Sequence, residues 1–320
     1  MFVNIINSQI SLGGNRGVLA VANQLLKENK PFALAIVVNA KGSTYRKPGA
    51  LALFAGDDTT RSVISGGCLE TNWHKVASHV IARNEPQSLL LDTQSDDDLI
   101  FGSGSGCRGS MRVLIIPVLP ENTHLLYSII AYSFQHHQSM KLALAIDATH
   151  CARGMAWSDD REWQLGNHID EIKFMRDASH GEYQVSLKND VSVTVAVFDL
   201  HPAPRILLIG ASVETPFLIR IGHSLGWHVT LVDHRPAQLE QYAAAADEVI
   251  HSRPVTALTK LVQPFDAALI MSHSASTDLE ALQTFSARQE RYVGLLGPPA
   301  RRDELLSQLN ETQRSSLSSR

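Results

Sequence analysis

The sequence has few cysteines, no long apolar run and no excess of basic residues. Its 320 residues include three cysteines, spaced too widely for a disulfide framework or a CxxC zinc site. No apolar stretch approaches the roughly 18–20 residues of a membrane-spanning helix, and the first residues lack the basic-then-apolar pattern of a signal peptide. The net charge of −4 comes without a basic patch. We therefore expect a cytoplasmic protein with no nucleic-acid or membrane partner.

Apolar residues are plentiful, and their pattern changes at one proline-containing segment. Before residue 200 the predicted helices and strands are mixed, whereas after HPAPR, at 201–205, strands and helices alternate regularly. The prolines disfavour both helix and strand pairing, as in a linker. Regular alternation predicts a doubly wound parallel sheet. We therefore predict an α/β protein, with an N-terminal mixed α/β domain at 1–200 and a Rossmann-like domain at 203–320.

Two further patterns are weaker. The string ALAI occurs at Ala33–Ile36 and again at Ala143–Ile146, which either marks two equivalent strands or is a chance match. The polar tail QRSSLSSR, at 313–320, has a single apolar residue, so we predict that it is frayed.

The second domain begins like a dinucleotide-binding unit. Gly210 stands between a predicted strand and a helix, and the next strand ends at Asp233, where an acid can bind a ribose hydroxyl. Arg235 is suited to a phosphate. The glycine fingerprint is broken, however, because Ser212 replaces its second glycine and Glu214 puts a carboxylate at the phosphate position. We expect no tightly bound NAD(P), while Gly210, Asp233 and Arg235 stay candidate cofactor-binding residues.

The first domain contains a polar turn, KGSTYRKPGA at 41–50. The hydroxyl of Ser43 and the guanidinium of Arg46 stand in a segment limited by glycine and proline. Such a turn suits an anionic group such as a phosphate. The alternative is an ordinary polar hairpin.

A second turn, SGGCLE at 65–70, leads into a predicted helix. Gly66, Gly67 and Cys68 precede or open the helix, whose free N–H groups and dipole attract anions. Glu70 falls in the first turn, and its alternative role is that of a helix cap.

The third segment, GSGSGCRGS at 102–110, places Cys107 among glycines and beside Arg108. Inward N–H groups and a guanidinium lower a thiol pKa and favour the thiolate. A structural cysteine usually stands in an apolar run instead. Cys107, Arg108 and Gly109 are therefore candidates for cofactor contact, with Cys107 as the candidate metal ligand. We predict no catalytic residue, because the sequence contains no recognisable acid–base set.

In this order along the chain, these segments resemble the XdhC/CoxI family. KGSTYRKPGA is similar to the family's GSxPRxxGA, with Tyr45 in place of a small residue or proline. SGGCLE is similar to the family's GGxxE. GCRGSMRVLI is similar to the family's cysteine-glycine motif, which precedes a buried strand. LGWHVTLVDHRP resembles LGxxVxVxDxRP, SHSASTDLEAL resembles THDxxxDxxxL with Ser274 in place of Asp, and YVGLLGPPARRDELL resembles YxGLLGSxxRRxxLL. The resemblance covers residues 15–120 and 203–310.

The resemblance implies a chaperone that binds molybdenum cofactor, as molybdopterin or its dinucleotide form, and protects it. Such a protein inserts the sulfurated cofactor into a molybdenum hydroxylase such as a xanthine or aldehyde dehydrogenase, and a cysteine desulfurase is a further implied partner. A protein of this kind is a maturation factor rather than an enzyme. Whether it forms a homodimer is left open. The residue types agree, because a pterin with a dithiolene and a phosphate needs anion-binding turns and a soft sulfur ligand.

Two other functions stay open. An NAD(P)-dependent oxidoreductase would use the Rossmann-like domain, but a fold does not establish a function and the glycine fingerprint is incomplete. A thiol enzyme would use Cys107, but the sequence shows no base paired with it.

Overall fold

The computed structural model describes residues 12–56, 60–61, 64, 70–92, 109–167, 170–187 and 191–318. They form two compact units, one comprising Gly14–Pro202 and the other built on Ala203–Arg320. In these residues no sheet takes strands from both units. No helix among them is long and apolar enough to cross a membrane.

The first unit contains two antiparallel sheets. Its strands are β1 (Phe32–Gly42), β2 (Leu51–Ala55), β3 (Thr60–Arg61), β4 (Gln87–Asp92), β5 (Gly109–Val118), β6 (Met140–Ala145), β7 (Gly154–Trp157), β8 (Glu162–Leu165), β9 (Gly181–Ser186) and β10 (Ser192–Leu200). Its helices are α1 (Gly14–Lys27), α2 (Glu70–Arg83) and α3 (Leu125–His136), with a 3-10 turn at Asp170–Met175.

The two sheets have the same topology. The first has the strand order β3-β2-β1-β5-β4, and the second has β8-β7-β6-β10-β9, which is the same order advanced by five strands. Helix α1 precedes β1 as α3 precedes β6, and α2 follows β3 as the 3-10 turn follows β8. Ala33 of β1 pairs with Pro117 of β5, and Ala143 of β6 pairs with Val197 of β10. The two ALAI strings therefore mark equivalent central strands.

The core of the first unit is built from one face of each sheet together with α1 and α3. Leu34 of β1, Leu144 of β6 and Phe198 of β10 belong to it and are fully buried. Residues one position away point to the opposite faces, as strand geometry requires. There α2 covers the first sheet through Trp73, and the 3-10 turn covers the second through Ile172.

The second unit is a parallel sheet with helices on both faces. Its elements are β11 (Arg205–Ile209), α4 (Thr215–Ser224), β12 (His228–Asp233), α5 (Pro236–Tyr242), β13 (Glu248–His251), α6 (Pro254–Lys260), β14 (Ala267–Ile270), α7 (Ala275–Phe285), β15 (Val293–Leu295), α8 (Pro299–Ser307) and α9 (Glu311–Ser318). The strand order is β13-β12-β11-β14-β15, and every pair is parallel. Separate apolar clusters cover the two faces. The predicted Rossmann-like fold is confirmed.

The strand order reverses at β11, which places a crevice at its carboxyl end. The chain leaves β11 for β12 on one side and later returns to β14 on the other. In parallel sheets of this kind, ligands bind where the strand order switches. The turns after β11, β12 and β14 surround this crevice and form the candidate site of the second unit.

The polar tail is helical, so the prediction that it is frayed is wrong. Residues Glu311–Ser318 form α9, and Leu317 packs against the apolar core on one face of the parallel sheet. The Ser316 hydroxyl donates to the carbonyl of Ser286 at 2.7 Å. One apolar side chain and one hydrogen bond therefore dock a segment whose composition is otherwise typical of a loose end.

Candidate functional site

A side chain of α1 is hydrogen-bonded to the loop between β1 and β2 at the end next to β2. The Asn15 amide donates to the carbonyl of Gly49 at 2.9 Å, and its oxygen accepts the N–H of Leu51 at 3.0 Å. Gly49 has a φ of 85°, and a Cβ there would lie 2.9 Å from the carbonyl oxygen of Asp199. Only glycine fits both the conformation and the space. The sequence therefore fixes the path of the loop before any ligand is present.

This loop lines a cavity of about 390 Å³ with a surplus of positive charge. Arg46 is half-buried, and Lys47 and His201 are exposed. Desolvation lowers the pKa of Arg46, with Tyr45 opposing that effect, but a guanidinium stays protonated at neutral pH. The described residues of the lining include no acid: they are Asn15, Tyr45, Arg46, Lys47, Pro48, Gly49, Ala50 and His201. The cavity therefore suits an anion.

The start of this loop lies directly against the end of the glycine-rich segment. Gly42 pairs with Gly109 across β1 and β5. A Cβ on Gly109 would lie 2.3 Å from the carbonyl oxygen of Ser43 and 2.7 Å from that of Lys41. Gly109 follows Arg108 directly in the chain. The structure thus brings together two of the segments that the sequence predicted as cofactor-binding.

Other predicted site residues lie outside the described residues: Gly66, Gly67, Cys68, Cys107 and Arg108. Glu70 is the first residue of α2, and only its backbone is described. Their assignment to the site stays a prediction.

Cys151 is the cysteine that the described residues include. It is unpaired and buried, and burial raises the pKa of its thiol to about 12. A thiol with so high a pKa is protonated at neutral pH and is neither a nucleophile nor a metal ligand. In the described parts of the chain, no group of three or more His, Cys, Asp or Glu side chains is placed to hold a metal ion.

In the second unit, the turn after β11 is tied to the end of β12. Gly210 has a φ of 107°, and a Cβ there would lie 2.3 Å from the Cα of Ser272. One carboxylate oxygen of Asp233 accepts the N–H of Ala211 at 2.7 Å, and the other accepts the N–H of Arg235 at 2.8 Å. The guanidinium of Arg235 donates to both oxygens, at 3.0 and 2.6 Å.

These hydrogen bonds involve Asp233 and Arg235, the residues that the sequence predicted to contact a nucleotide. The side chain of Asp233 is 1% exposed, and four donors fill the four lone-pair positions of its carboxylate. Burial alone would raise the pKa of Asp233, but the bonds from Arg235 and Ala211 outweigh it and hold the pKa below its usual value. The acid at the ribose position is therefore ionised and already satisfied.

A second carboxylate stands at the phosphate position of the crevice. Glu214 immediately precedes α4, and its carboxylate lies 3.3 Å from Nε2 of His273. The nearby Ser212, followed by smaller effects that include His273, lowers the pKa of Glu214. Because it is ionised at neutral pH, it repels a pyrophosphate from the helix N-terminus.

Sequence reasoning missed one buried ion pair beside this crevice. Asp278 of α7 is fully buried and accepts the N–H of Ser272 at 3.2 Å. Arg301 of α8 donates to its other oxygen at 2.6 Å. Both residues fall within segments that carried the family resemblance, SHSASTDLEAL and GLLGPPARRDELL, but nothing in the sequence pairs them.

The structure is that of a two-unit α/β protein with a cationic loop in the first unit and a Rossmann-like second unit whose Asp233 carboxylate is hydrogen-bonded by the protein itself. Residues 25–92 match the model of the XdhC and CoxI family, and residues 206–319 match the XdhC Rossmann domain. The two matches fall in different units and together cover more than half of the chain. The chain belongs to the XdhC and CoxI family.

Two relatives extend the comparison over most of the chain. It is 26% identical over 286 residues to a probable xanthine dehydrogenase subunit of Bacillus subtilis (strain 168), covering 88% of this chain and 84% of the relative. Its fold is similar to the crystal structure of a xanthine dehydrogenase from Bacillus halodurans, with a TM-score of 0.72 and 27% identity. That similarity covers 91% of this chain and 85% of the other.

Proposed function

We propose that this protein binds molybdenum cofactor, as molybdopterin or its dinucleotide form, and inserts it, sulfurated, into a partner molybdenum hydroxylase. Family membership and the names of the relatives support a maturation role linked to xanthine dehydrogenase. The observation that carries the finer proposal is the cationic cavity of the β1–β2 loop, whose described lining residues include no acid. The start of the same loop lies against Gly109. The client is a xanthine or aldehyde dehydrogenase, and the protein acts in the cytoplasm.

In this proposal the cavity of the β1–β2 loop binds the phosphate of the cargo. Arg46 and Lys47 supply charge, and the ring of His201 supplies a further donor. Cys107 stands two residues before Gly109 in the chain, and Arg108 favours its thiolate. A soft thiolate is the ligand type that suits molybdenum. The phosphate and the metal end of one cargo are thereby held by adjoining segments.

The groups around the cavity support a carrier rather than an enzyme. They are donors and cations, which bind and release an anion but do not form an acid–base pair for turnover. The crevice of the second unit gives an oxidoreductase little support, because the Asp233 carboxylate is fully hydrogen-bonded and Glu214 repels phosphate. A cysteine desulfurase acting on the bound cofactor would supply the terminal sulfur.

The first test is the molybdenum and pterin content of the protein purified without oxygen. We expect both to be present in the wild type and to fall about tenfold in Arg46→Gln, because one charge-assisted bond to phosphate is lost. Arg161→Gln is the matched control, since Arg161 is an exposed arginine of the same unit that lies over the Tyr132 ring. Equal cofactor in both variants would remove the loop from the proposal.

The second test is the client enzyme in cells that lack this protein. We expect the hydroxylase to accumulate folded, with normal iron–sulfur clusters but without active sulfurated cofactor. Cluster assembly is unaffected because three scattered cysteines cannot supply the usual four ligands. Full hydroxylase activity in these cells, or turnover of a small substrate by the purified protein alone, would refute the proposal.

A further inference from the structure

The two copies of the topology in the first unit each have a cavity in the same place. The cationic cavity joins the β1–β2 loop to the start of α1, at Asn15. A second cavity of about 720 Å³ joins the β6–β7 loop to the start of α3, at His124 and Leu125. Since α1 and β1 correspond to α3 and β6, the second cavity is the topological counterpart of the first.

Arg153 is the cation of this second cavity, whereas Arg46 and Lys47 are the cations of the first. Gly166 has a φ of 78°, and a Cβ on it would lie 2.9 Å from Cγ of Arg153. The aliphatic part of the Arg153 side chain therefore packs against the backbone of Gly166, which has no Cβ. Its guanidinium is exposed and has no ion pair or hydrogen bond with any residue that the structure describes.

His124 adds a second donor to the same cavity. Its Nδ1 accepts the N–H of Leu126 at 3.2 Å, and burial lowers the pKa of the ring. The imidazole is therefore neutral at physiological pH, and its proton is on Nε2. Glu85, which is exposed, is the one acidic residue among the described residues of the lining.

Three residues of the lining have left-handed backbone conformations. These are Asn84, Ala152 and Gly166, with φ of 53°, 64° and 78°. Such conformations cost free energy outside glycine and are concentrated at binding sites, where surrounding structure holds them. The cavity is thus assembled from four separate turns whose geometry is fixed by the fold.

We propose that this second cavity binds a small oxyanion, carrying a carboxylate or a phosphate, through Arg153 and His124. The family matches end at residue 92 and resume at residue 206, so most of its lining lies outside them. The site is separate from the cargo loop and does not depend on the proposed function. Cys151, a neutral thiol, is part of its wall.

The test is calorimetric titration with pyrophosphate and with citrate at constant ionic strength. Arg46→Gln serves as the background, so that anion binding at the first cavity is weakened and contributes less. We expect at least one anion to bind and Arg153→Gln to weaken that binding about ten- to hundredfold. Arg161→Gln, which removes the same charge elsewhere in the unit, should leave it unchanged.

Backbone NMR shifts on titration give the location, and we expect them at Leu125 and Gly166. Pyrophosphate binding alone identifies a phosphate ligand, and citrate binding alone identifies a carboxylate ligand. The proposal fails if neither anion binds, if Arg153→Gln binds as well as its parent, or if Arg161→Gln weakens binding equally. Thermal unfolding of each variant checks that the fold is intact.

Discussion

Asp233 and Arg235 form a bidentate ion pair at the end of β12. Both carboxylate oxygens accept from the same guanidinium, and that guanidinium also donates to the carbonyl of Ala211 at 3.2 Å. The pair therefore fastens the β11 turn to the neighbouring strand. In a dinucleotide-binding unit the acid at this position faces the ribose, whereas here it serves the protein's own backbone.

We expect Asp233→Asn to lower the free energy of unfolding by about 2–3 kcal/mol at pH 7, because a buried charge pair is broken and its partner is partly exposed. The pKa of Asp233 is depressed in the folded state. Its contribution is therefore fully present above the unfolded pKa of about 3.9 and is lost as the pH falls through the folded value. Urea unfolding at neutral and acidic pH measures both effects.

The control for this prediction is Glu304→Gln, an exposed acid of α8. It should change stability by less than about 0.5 kcal/mol. A cost for Asp233→Asn that stays constant down to pH 2 would contradict the assignment.

We expect NAD(P) to bind with a dissociation constant weaker than about 1 mM. The carboxylate of Asp233 has no free acceptor position, and Glu214 opposes a pyrophosphate at the start of α4. Calorimetry at high nucleotide concentration is the measurement. Micromolar NAD(P) binding would instead support the alternative function, that of an NAD(P)-dependent oxidoreductase.

We expect Gly109→Ala to displace the β1–β2 loop and to reduce bound molybdenum. A methyl group there would meet the carbonyl of Ser43 at 2.3 Å, and overpacking of this kind costs about 1–3 kcal/mol. Gly56→Ala is the matched control, because a Cβ on Gly56 meets nothing within 4 Å. If the two variants retain equal molybdenum and equal stability, the close approach of the two segments has no role in binding.

We expect Cys107→Ala to remove most of the bound molybdenum and Cys151→Ala to retain it. The thiol of Cys151, with a pKa of about 12, is almost wholly protonated at neutral pH, whereas Arg108 favours the thiolate of Cys107. Metal analysis tests the binding, and iodoacetamide labelling by peptide tests the reactivity, with Cys107 reacting first. Full molybdenum binding by Cys107→Ala would make that cysteine structural.

We expect removal of residues 311–320 to destabilise the second unit. The truncation exposes the surface that Leu317 covers and removes the bond from Ser316 to Ser286, at a cost of about 1–2 kcal/mol. Leu317→Ala should reproduce most of this loss, while Thr312→Ala, a substitution at an exposed polar residue of the same helix, should cost less. An unchanged melting temperature for the truncated chain would show that α9 contributes nothing.

The parallel sheet was predictable from the sequence because its central strands are buried on both faces. RILLI at Arg205–Ile209 and HVTLVD at His228–Asp233 are short, mainly apolar segments between helical ones, the pattern that this fold requires. The broken glycine fingerprint was also visible in the sequence, because the fingerprint consists of residues that are close together in the chain.

The hydrogen bonds that Asp233 makes to the protein itself could not be predicted in this way. Whether Arg235 turns toward Asp233 or toward a ligand depends on how β12 and the start of α5 pack beside β11. The pair formed by Asp278 and Arg301 joins two helices, 23 positions apart in the chain. His201 reaches the cationic cavity from the end of β10, and the sequence identified it only as part of a linker. Each of these is a tertiary contact without a local signature.

The matching order of the two antiparallel sheets has a consequence for the origin of the first unit. Each half contributes one sheet and one helix to a common core, so either half alone would leave a broad apolar face in water. The shared topology is the one that two copies of a shorter chain, paired through these apolar faces, would have. Fusion of two gene copies would then have freed one loop from the demands on the other, and the two loops now have their cations at different positions, with Arg153 immediately before β7 and Arg46 earlier in the loop before β2.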